Sequence, residues 1–307
     1  MKRRLRLGLT VLALLALAAL LLREPAPGPT GKWLEAAGLE PRFVIVEGVR
    51  IRYVEAGSGP AVVLMHGFAS SIYTWKDILP PLARERRAVA LDFPGFGGSE
   101  PPPDLSFELL PRVVLGLMNR LGIARASLVG NSMGGAVSVV LAARRPAQVD
   151  KLVLIDAAGY NTEPAEQPWI IRLARSRAAV VLMERLPVRR RLVGAGLRQV
   201  FHDPSWVTRE RIDEYVAPLL QPGALVSIRS LMVSPPPSPP VAELAVRVEA
   251  PTLIVWGKQD RWIPVEHAGR FAAAIPGSRV VVLDDCGHLP QEERPAEVIR
   301  MLEGFLR

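Results

Sequence analysis

The feature that most constrains the fold is a series of continuous apolar runs separated by helical stretches. After a hairpin pattern around Glu47-Gly48, the runs are PAVVLMHGF, AVALDFPGFG, ASLVGNS, KLVLIDAAG, PTLIVWGKQD and SRVVVLDDCGH. Strands that are buried on both faces have this composition. Helical patterns separate them, at roughly residues 72–84, 106–121, 133–145, 266–275 and 295–306. The alternation predicts an α/β fold, with a mostly parallel, doubly wound sheet covered by helices on both faces.

Polar residues stand where these predicted strands end, which places them together at one edge of the sheet. They are His66, Asp92, Ser132, Asp156, Asp260 and His288. Ser132 lies in GNSMGG, at a strand-to-helix turn that can hold a serine hydroxyl out of the fold as a nucleophile. Ser132, Asp260 and His288 follow one another in the order that serine hydrolases of this architecture use.

Five motifs stand in a characteristic order: HGF, DFPGFGGS, GNSMGG, WGKQDRWIP and GHLPQEERP. Through them the chain resembles the α/β-hydrolase fold family over about residues 40–307, and most of all its membrane-anchored or secreted lipases and esterases. The resemblance implies that Ser132 is the nucleophile and His288 the general base. It also implies that Asp260 orients the imidazole of His288, with Asp156 as the rival acid because some branches of the family use that position.

The same resemblance implies an oxyanion hole made of two backbone N–H groups, those of Phe68 and Met133. His66, in the HGF motif, is expected to brace the oxyanion loop rather than to act as the base. His202 lies in the predicted insertion and His267 in a predicted helix, which leaves His288 as the histidine that follows a strand near the end of the chain.

The alternation is interrupted by amphipathic helical patterns, and four segments are predicted. Residues 1–32 form an N-terminal hydrophobic helix with a linker, and residues 33–160 and 241–307 form the two parts of the α/β core. Residues 161–240 form an inserted helical cap over the active site, as the family resemblance implies. Aromatic candidates for an apolar substrate pocket in the cap are Trp169, Trp206 and Tyr215, with Phe201 and the aliphatic Leu231 beside them. The alternative is that these side chains only hold the cap together.

The N-terminus starts with MKRRLR and continues with sixteen uncharged residues, Leu7 to Leu22. A basic flank before an apolar run predicts that the flank stays in the cytoplasm. Because no clear cleavage site follows, we expect an uncleaved signal anchor at residues 5–22 with the catalytic body outside the cytoplasm. The alternative is a cleaved signal peptide and a secreted or periplasmic enzyme.

The net charge of +8 is concentrated in two regions. Residues 1–24 hold five bases and one acid, residues 161–240 hold eleven arginines and seven acids, and the remainder balances. No nucleic-acid-binding motif surrounds these arginines, so no nucleic-acid partner is expected. The cap arginines could face anionic lipid or simply solvent. The sequence contains one cysteine and no metal-binding or cofactor motif, and we expect neither a metal nor a cofactor.

These patterns predict a serine hydrolase that cleaves carboxylic esters, as a lipase or esterase, through an acyl-serine intermediate. The expected partners are a small-molecule ester or lipid substrate and, through the N-terminal segment, a membrane. The main alternative is a C–C bond hydrolase of ring-cleavage dienones, a branch that usually carries Trp where this chain has Leu289. A proline iminopeptidase and a non-enzymatic binding protein are further alternatives.

Overall fold

A computed structural model describes residues 28, 30–160, 175–185 and 189–307. Its centre is an eight-stranded sheet with the strand order β1-β2-β4-β3-β5-β6-β7-β8. The strands are Arg42–Val46 (β1), Val49–Ala56 (β2), Ala61–Met65 (β3), Arg87–Leu91 (β4), Ala126–Asn131 (β5), Val149–Ile155 (β6), Thr252–Gly257 (β7) and Arg279–Leu283 (β8). Strand β2 is antiparallel to β1 and β4, and every other pair is parallel, so the mostly parallel sheet is confirmed.

The hairpin between β1 and β2 turns at the two predicted residues. Val46 pairs with Val49, and Glu47 and Gly48 between them have φ of 53° and 77°. A two-residue turn with positive φ at both positions matches the right-handed twist of the flanking strands.

Twelve helices are present among the described residues. They are Lys32–Ala36 (α1), Leu79–Leu82 (α2), Leu109–Arg120 (α3), Met133–Arg144 (α4), Arg177–Arg185 (α5), Arg189–Val200 (α6), Arg209–Val216 (α7), Ala224–Val233 (α8), Val241–Ala245 (α9), Glu266–Ala274 (α10), Pro290–Glu293 (α11) and Pro295–Leu306 (α12). Short 3₁₀ turns lie at Ile72–Trp75, Pro146–Gln148, Pro204–Trp206 and Ala217–Leu220.

The helical stretch predicted at roughly residues 72–84 is not one continuous helix. The chain instead forms a 3₁₀ turn at Ile72–Trp75 and the four-residue helix α2. Pro80 and Pro81 lie in the first turn of α2. Because proline has no backbone N–H, it fits at the beginning of a helix but breaks a helix that would run through it.

Two hydrophobic cores lie on opposite faces of the sheet. Neighbouring residues of β5 enter different cores: Leu128 packs in one and Val129 in the other. Successive side chains of a strand point to opposite faces, so a strand covered on both faces must be apolar throughout. This accounts for the continuous apolar runs of the sequence.

The cap, residues 161–240, enters between β6 and β7, and the structure describes its residues 175–185 and 189–240. Helices α5 to α8 occupy most of this described part. Within the described residues no single helix is long and apolar enough to cross a membrane, while the bent pair Arg209–Leu220 and Ala224–Val233 meets that test by length and composition alone. The predicted anchor at residues 5–22 and the pocket candidate Trp169 lie outside the described residues.

Candidate active site

Ser132 stands at a sharp turn between β5 and α4. Its φ of 53° and ψ of −115° lie in a region that non-glycine residues rarely adopt, and strain of this kind collects at functional sites. The Ser132 N–H donates to the carbonyl of Ile155 at 2.9 Å, and its own carbonyl accepts from the N–H of Ala158 at 3.0 Å. These bonds to the end of β6 hold the strained backbone in place.

Glycines permit this turn by allowing close approach of backbone segments. A Cβ on Gly130 would lie 2.3 Å from the carbonyl oxygen of Gly134, and one on Gly134 would lie 2.2 Å from that of Met65. Real Cβ atoms do not approach oxygen so closely, so both positions require glycine. The GNSMGG motif therefore specifies the turn sterically as well as by its serine.

His288 and Asp260 meet at the same edge of the sheet. His288 lies in the loop after β8 and Asp260 in the loop after β7, and His288 Nδ1 is 2.6 Å from Asp260 Oδ2. The other oxygen, Oδ1, accepts from the N–H groups of Trp262 at 2.7 Å and Ile263 at 3.0 Å. Both side chains are almost fully buried, so the carboxylate orients the imidazole in a dry environment.

Asp156 lies close to this pair. The ligand atoms of Asp156, Asp260 and His288 lie within 4.8 Å of one another. Asp156 Oδ1 accepts from the N–H of Gly257 at 3.0 Å. Burial, and then the charge of Asp260, raise the pKa of Asp156 well above its usual range. Asp260, and not Asp156, makes the short contact with the imidazole ring. The three groups are near enough to ligate a cation. However, the contact between His288 Nδ1 and Asp260 Oδ2 already engages one potential ligand atom of each of these two residues.

The predicted oxyanion donors flank Ser132. Met133 is the first residue of α4, where the helix supplies no partner for the N–H. Phe68 follows Gly67, where an added Cβ would lie 3.1 Å from the Cβ of Ser132. The loop that carries Phe68 is braced by His66, whose Nδ1 lies 2.7 Å from the carbonyl of Gly67 and whose Nε2 accepts from the N–H of Phe93 at 3.0 Å.

Burial lowers the pKa of His66, which keeps the ring neutral. A neutral imidazole can donate from one nitrogen and accept at the other, as these two contacts require. The bracing position expected for His66 is therefore what the structure shows.

The loop that carries His288 is held in part by the cap. The His288 N–H donates to the carbonyl of Val200, at the end of α6, at 2.8 Å. Glu293 bridges the two regions, because its carboxylate accepts from the N–H of Gly287 at 2.8 Å and from that of His202 at 2.9 Å. The position of His288 therefore depends on contacts that the cap supplies.

A buried ion pair adds to this connection. Glu292 in α11 and Arg211 in α7 are almost inaccessible to solvent, and Arg211 Nε lies 3.0 Å from Glu292 Oε2. The hydroxyls of Tyr215 and Thr74 donate to Glu292 Oε1 at 2.5 Å and 2.7 Å. One carboxylate thus joins the cap helix α7 to two elements of the core.

An apolar cavity of about 120 Å³ lies against Asn131 and Gly67, both of which adjoin Ser132. The core contributes His288, Asn131 and Phe68 to its wall. The cap contributes mainly aliphatic residues: Met183, Leu192, Leu197, Leu219, Leu225 and Ile228. Such a wall suits a long apolar group whose reactive carbon is presented to the hydroxyl of Ser132.

The predicted pocket residues fall in different places. Tyr215 lines the cavity, with its hydroxyl engaged by Glu292. Trp206 is not among the residues that line this cavity: its ring packs against an apolar cluster that includes Tyr73, Leu197 and Leu289, with the guanidinium of Arg211 5.2 Å from its centroid. Phe201 is not among the lining residues either and is fully buried beneath Arg211. Leu231 packs in a core cluster.

Sequence reasoning missed two site residues. Trp262 stacks on His288, with ring centroids 5.6 Å apart, and forms part of the cavity wall. Asn131 donates from Nδ2 to the carbonyls of Ile155 at 3.2 Å and His288 at 3.1 Å, which ties the end of β5 to the histidine loop. Trp262 lies in the motif WGKQDRWIP and Asn131 in GNSMGG. Their closeness in sequence to Asp260 and Ser132 could have indicated that they belong to the site.

This arrangement and fold identify the class. The chain belongs to the alpha/beta hydrolase fold family, whose model matches residues 60–295. The chain is therefore a member of a hydrolase superfamily.

Individual relatives cover nearly the whole chain. The uncharacterized hydrolase YugF of Bacillus subtilis is 30% identical over 89% of this chain and 100% of its own length. A 2-hydroxy-6-oxo-2,4-heptadienoate hydrolase of Pseudomonas putida is 31% identical, covering 86% of this chain and 95% of its own. Among solved structures, a membrane phospholipase A described as a bacterial virulence factor is similar, with a TM-score of 0.71, 29% identity, and coverage of 100% of this chain and 98% of its own.

Proposed function

We propose that this protein is a serine hydrolase of carboxylic esters, a lipase or esterase, that acts through an acyl-Ser132 intermediate. The observation that carries the proposal is the aliphatic cavity beside Ser132, whose wall includes His288. An ester needs an apolar slot for its acyl chain and hydrogen-bond donors for its carbonyl oxygen, and the site offers both. The similarity to a membrane phospholipase A supports a lipid ester as substrate.

In the proposed mechanism, the Ser132 hydroxyl oxygen attacks the ester carbonyl carbon while His288 Nε2 takes the hydroxyl proton. The resulting oxyanion is stabilised by the N–H groups of Phe68 and Met133, each donor contributing about 3 kcal/mol to the transition state. Asp260 stabilises the imidazolium through Nδ1. When the alcohol leaves, it takes the proton from His288. Water then attacks the acyl carbon while His288 takes a proton from it, and the bond to Ser132 breaks as His288 returns that proton to the serine oxygen and the acid is released.

We further propose that residues 5–22 anchor the protein in a membrane, with the body outside the cytoplasm. The basic flank, the sixteen uncharged residues and the missing cleavage site support an anchor. A relative described as a membrane protein that covers the whole chain adds to this support. N-terminal sequencing of the purified protein is the test, since a mature chain that starts between residues 24 and 33 would show a cleaved signal peptide.

A second candidate function is C–C bond hydrolysis of a ring-cleavage dienone. Two observations favour it: the similarity to the Pseudomonas putida hydrolase, and the presence of Arg189 in the cavity wall. The arginines of the cap were expected to face lipid or solvent, and the position of Arg189 in the cavity wall adds a third possibility, contact with a substrate carboxylate. One observation argues against C–C bond hydrolysis. The cavity wall contains the aliphatic side chain of Leu289 at the position where the C–C hydrolases that this chain resembles usually have an aromatic ring.

Both substrate classes share one proposed triad, so the decisive measurement compares them directly. Purified protein is assayed on p-nitrophenyl esters from C2 to C16 and on a ring-fission dienone under one set of conditions. We expect kcat/KM to be highest for an ester with a long acyl chain. A kcat/KM for the dienone above that for every ester would establish the C–C hydrolase instead.

A further inference from the structure

Large apolar side chains are exposed on the outer surface of the cap. Val226 and Val233 are 44% and 52% exposed, and they lie seven residues apart on one face of α8. Val181 in α5, which packs on α8, is 43% exposed, and Leu220, just before α8, is 41% exposed. We call these four residues the outer cap face. The opposite side of α8 lines the cavity, so one helix carries an apolar residue set on each side.

The described part of the cap also carries exposed arginines. Arg175, Arg177, Arg198 and Arg209 are exposed. The whole cap carries eleven arginines against seven acids, while the core is neutral. An anionic bilayer attracts such arginines, and their aliphatic stems can lie along apolar surface while the charge reaches the headgroups. A cap with exposed apolar residues and a net positive charge is therefore complementary to an anionic lipid surface.

The chain that leads from the N-terminal apolar run ends on the cap. The N–H of Gly28 donates to Asp213 at 3.0 Å, and that of Gly31 donates to Glu214 at 2.7 Å. Both acceptors belong to α7. Only residues 23–27 separate Leu22 from Gly28, and a fully extended chain of that length spans about 20 Å. If the run lies in a membrane, as proposed, α7 lies within that distance of the bilayer.

We propose that the outer cap face docks on an anionic lipid bilayer, so that the cavity beneath α8 takes its acyl chain from the membrane rather than from water. The lipid part of this inference rests on the proposed esterase function, whereas docking itself requires no catalysis. A second copy of the chain is the competing occupant of this face, and the experiment below distinguishes it.

Docking is measured by fluorescence quenching on the full-length protein in vesicles of phosphatidylcholine with phosphatidylglycerol. An environment-sensitive label is placed at Val226→Cys, since the native cysteine, Cys286, is fully buried. The matched control is Val282→Cys, a valine at the sheet edge with the same 44% exposure. We expect spin-labelled lipid to quench the Val226→Cys label severalfold more than the control. Equal quenching, or energy transfer between labels on two copies without lipid quenching, would overturn the proposal.

A second arm measures turnover with the variant Val226→Asp/Val233→Asp, neither residue of which lines the cavity. We expect hydrolysis of a lipid ester in the anionic vesicles to fall about tenfold, the loss expected when one valine is no longer buried. Turnover of a soluble p-nitrophenyl ester should stay at the wild-type value. Unchanged vesicle turnover would contradict docking. If the wild type hydrolyses no ester at all, the proposed function fails, and the quenching result still decides docking.

Discussion

The serine turn and the histidine loop meet at one edge of the sheet but are supported in different ways. Ser132 is held by the glycines of its own motif and by the ends of neighbouring strands. The loop of His288 is held by the carbonyl of Val200 in the cap and by Glu293 of α11, which also accepts from the N–H of His202 in the cap. The adjacent Glu292 pairs with Arg211 of the cap. The turn at Ser132 is therefore held by its own motif and by neighbouring strands of the sheet, whereas the proposed base also depends on contacts with the cap.

The largest expected effect concerns the serine turn and its chemistry. Ser132→Ala should lower kcat for ester hydrolysis by about 10⁴ to 10⁶, because the variant has no nucleophile. The thermal unfolding midpoint should stay near that of the wild type. A serine-reactive phosphonate should modify Ser132 in the wild type, as shown by peptide mass spectrometry. Modification of a different residue, or normal turnover by the variant, would contradict the assignment.

The next largest effect concerns the buried ion pair between Glu292 and Arg211, which joins the cap to the core. Glu292→Gln should lower the free energy of unfolding by about 3–5 kcal/mol, because Arg211 is left buried without its charge partner. Denaturant unfolding gives this value, and kcat should fall with it as His288 loses its support. The control is Glu108→Gln, whose ion pair with Arg144 is partly exposed and should cost less than about 1 kcal/mol.

A further variant distinguishes the cost of leaving a buried charge unpaired from the cost of losing the other contacts of Glu292. In Arg211→Met/Glu292→Leu both charges are replaced by apolar groups of similar size, which often restores the stability that a broken pair loses. We expect this variant to unfold at higher denaturant concentration than Glu292→Gln. A double variant as unstable as the single one would show that the hydrogen bonds of Tyr215 and Thr74, rather than the charges, hold the cap.

A smaller effect tests the steric argument for the serine turn. Gly134→Ala should lower the free energy of unfolding by about 1–3 kcal/mol, because its Cβ would overlap the carbonyl of Met65. Gly269→Ala is the matched control, since that helical glycine has open space around it. There alanine should raise the stability by about 0.5–1 kcal/mol. Equal effects at both positions would show that close packing does not define the turn.

The smallest expected effect on stability concerns Asp156, the second carboxyl group near His288. Its pKa is raised by burial and by Asp260, so the folded protein holds this proton more tightly than the unfolded chain. The stability that the proton contributes is complete below the unfolded pKa and is lost as pH rises through the folded pKa. We expect the wild type to lose stability with rising pH relative to Asp156→Asn in unfolding measured across a pH series. Parallel curves would show that Asp156 has no such proton.

Turnover of the same variant tests which carboxylate orients the histidine. Asp156→Asn should keep most of the wild-type kcat, whereas Asp260→Asn should lose about 10⁴ because the imidazole is no longer held in the required tautomer. A reversed order would make Asp156 the acid.

The sequence was sufficient for the features that depend on local pattern. Continuous apolar runs predicted the strands, and GNSMGG predicted the turn at Ser132, because side-chain alternation and glycine sterics act over a few residues. It was insufficient where distant segments meet. Nothing in the local pattern indicated that Glu292 pairs with Arg211, or that Trp206 packs against a cluster that includes Tyr73 and Leu289, since both contacts depend on how the cap packs on the core. The helix predicted at residues 72–84 failed for a local reason, the two prolines of α2.

The insertion of the cap between β6 and β7 also sets the order in which the protein is completed during synthesis. Leu152 pairs with Thr252, so β6 must wait for a hundred further residues before its neighbour exists. Contacts so distant in sequence form slowly. His288 follows Ser132 by 156 residues. Under the proposed mechanism, a growing chain therefore carries its nucleophile without its base until those residues have been added.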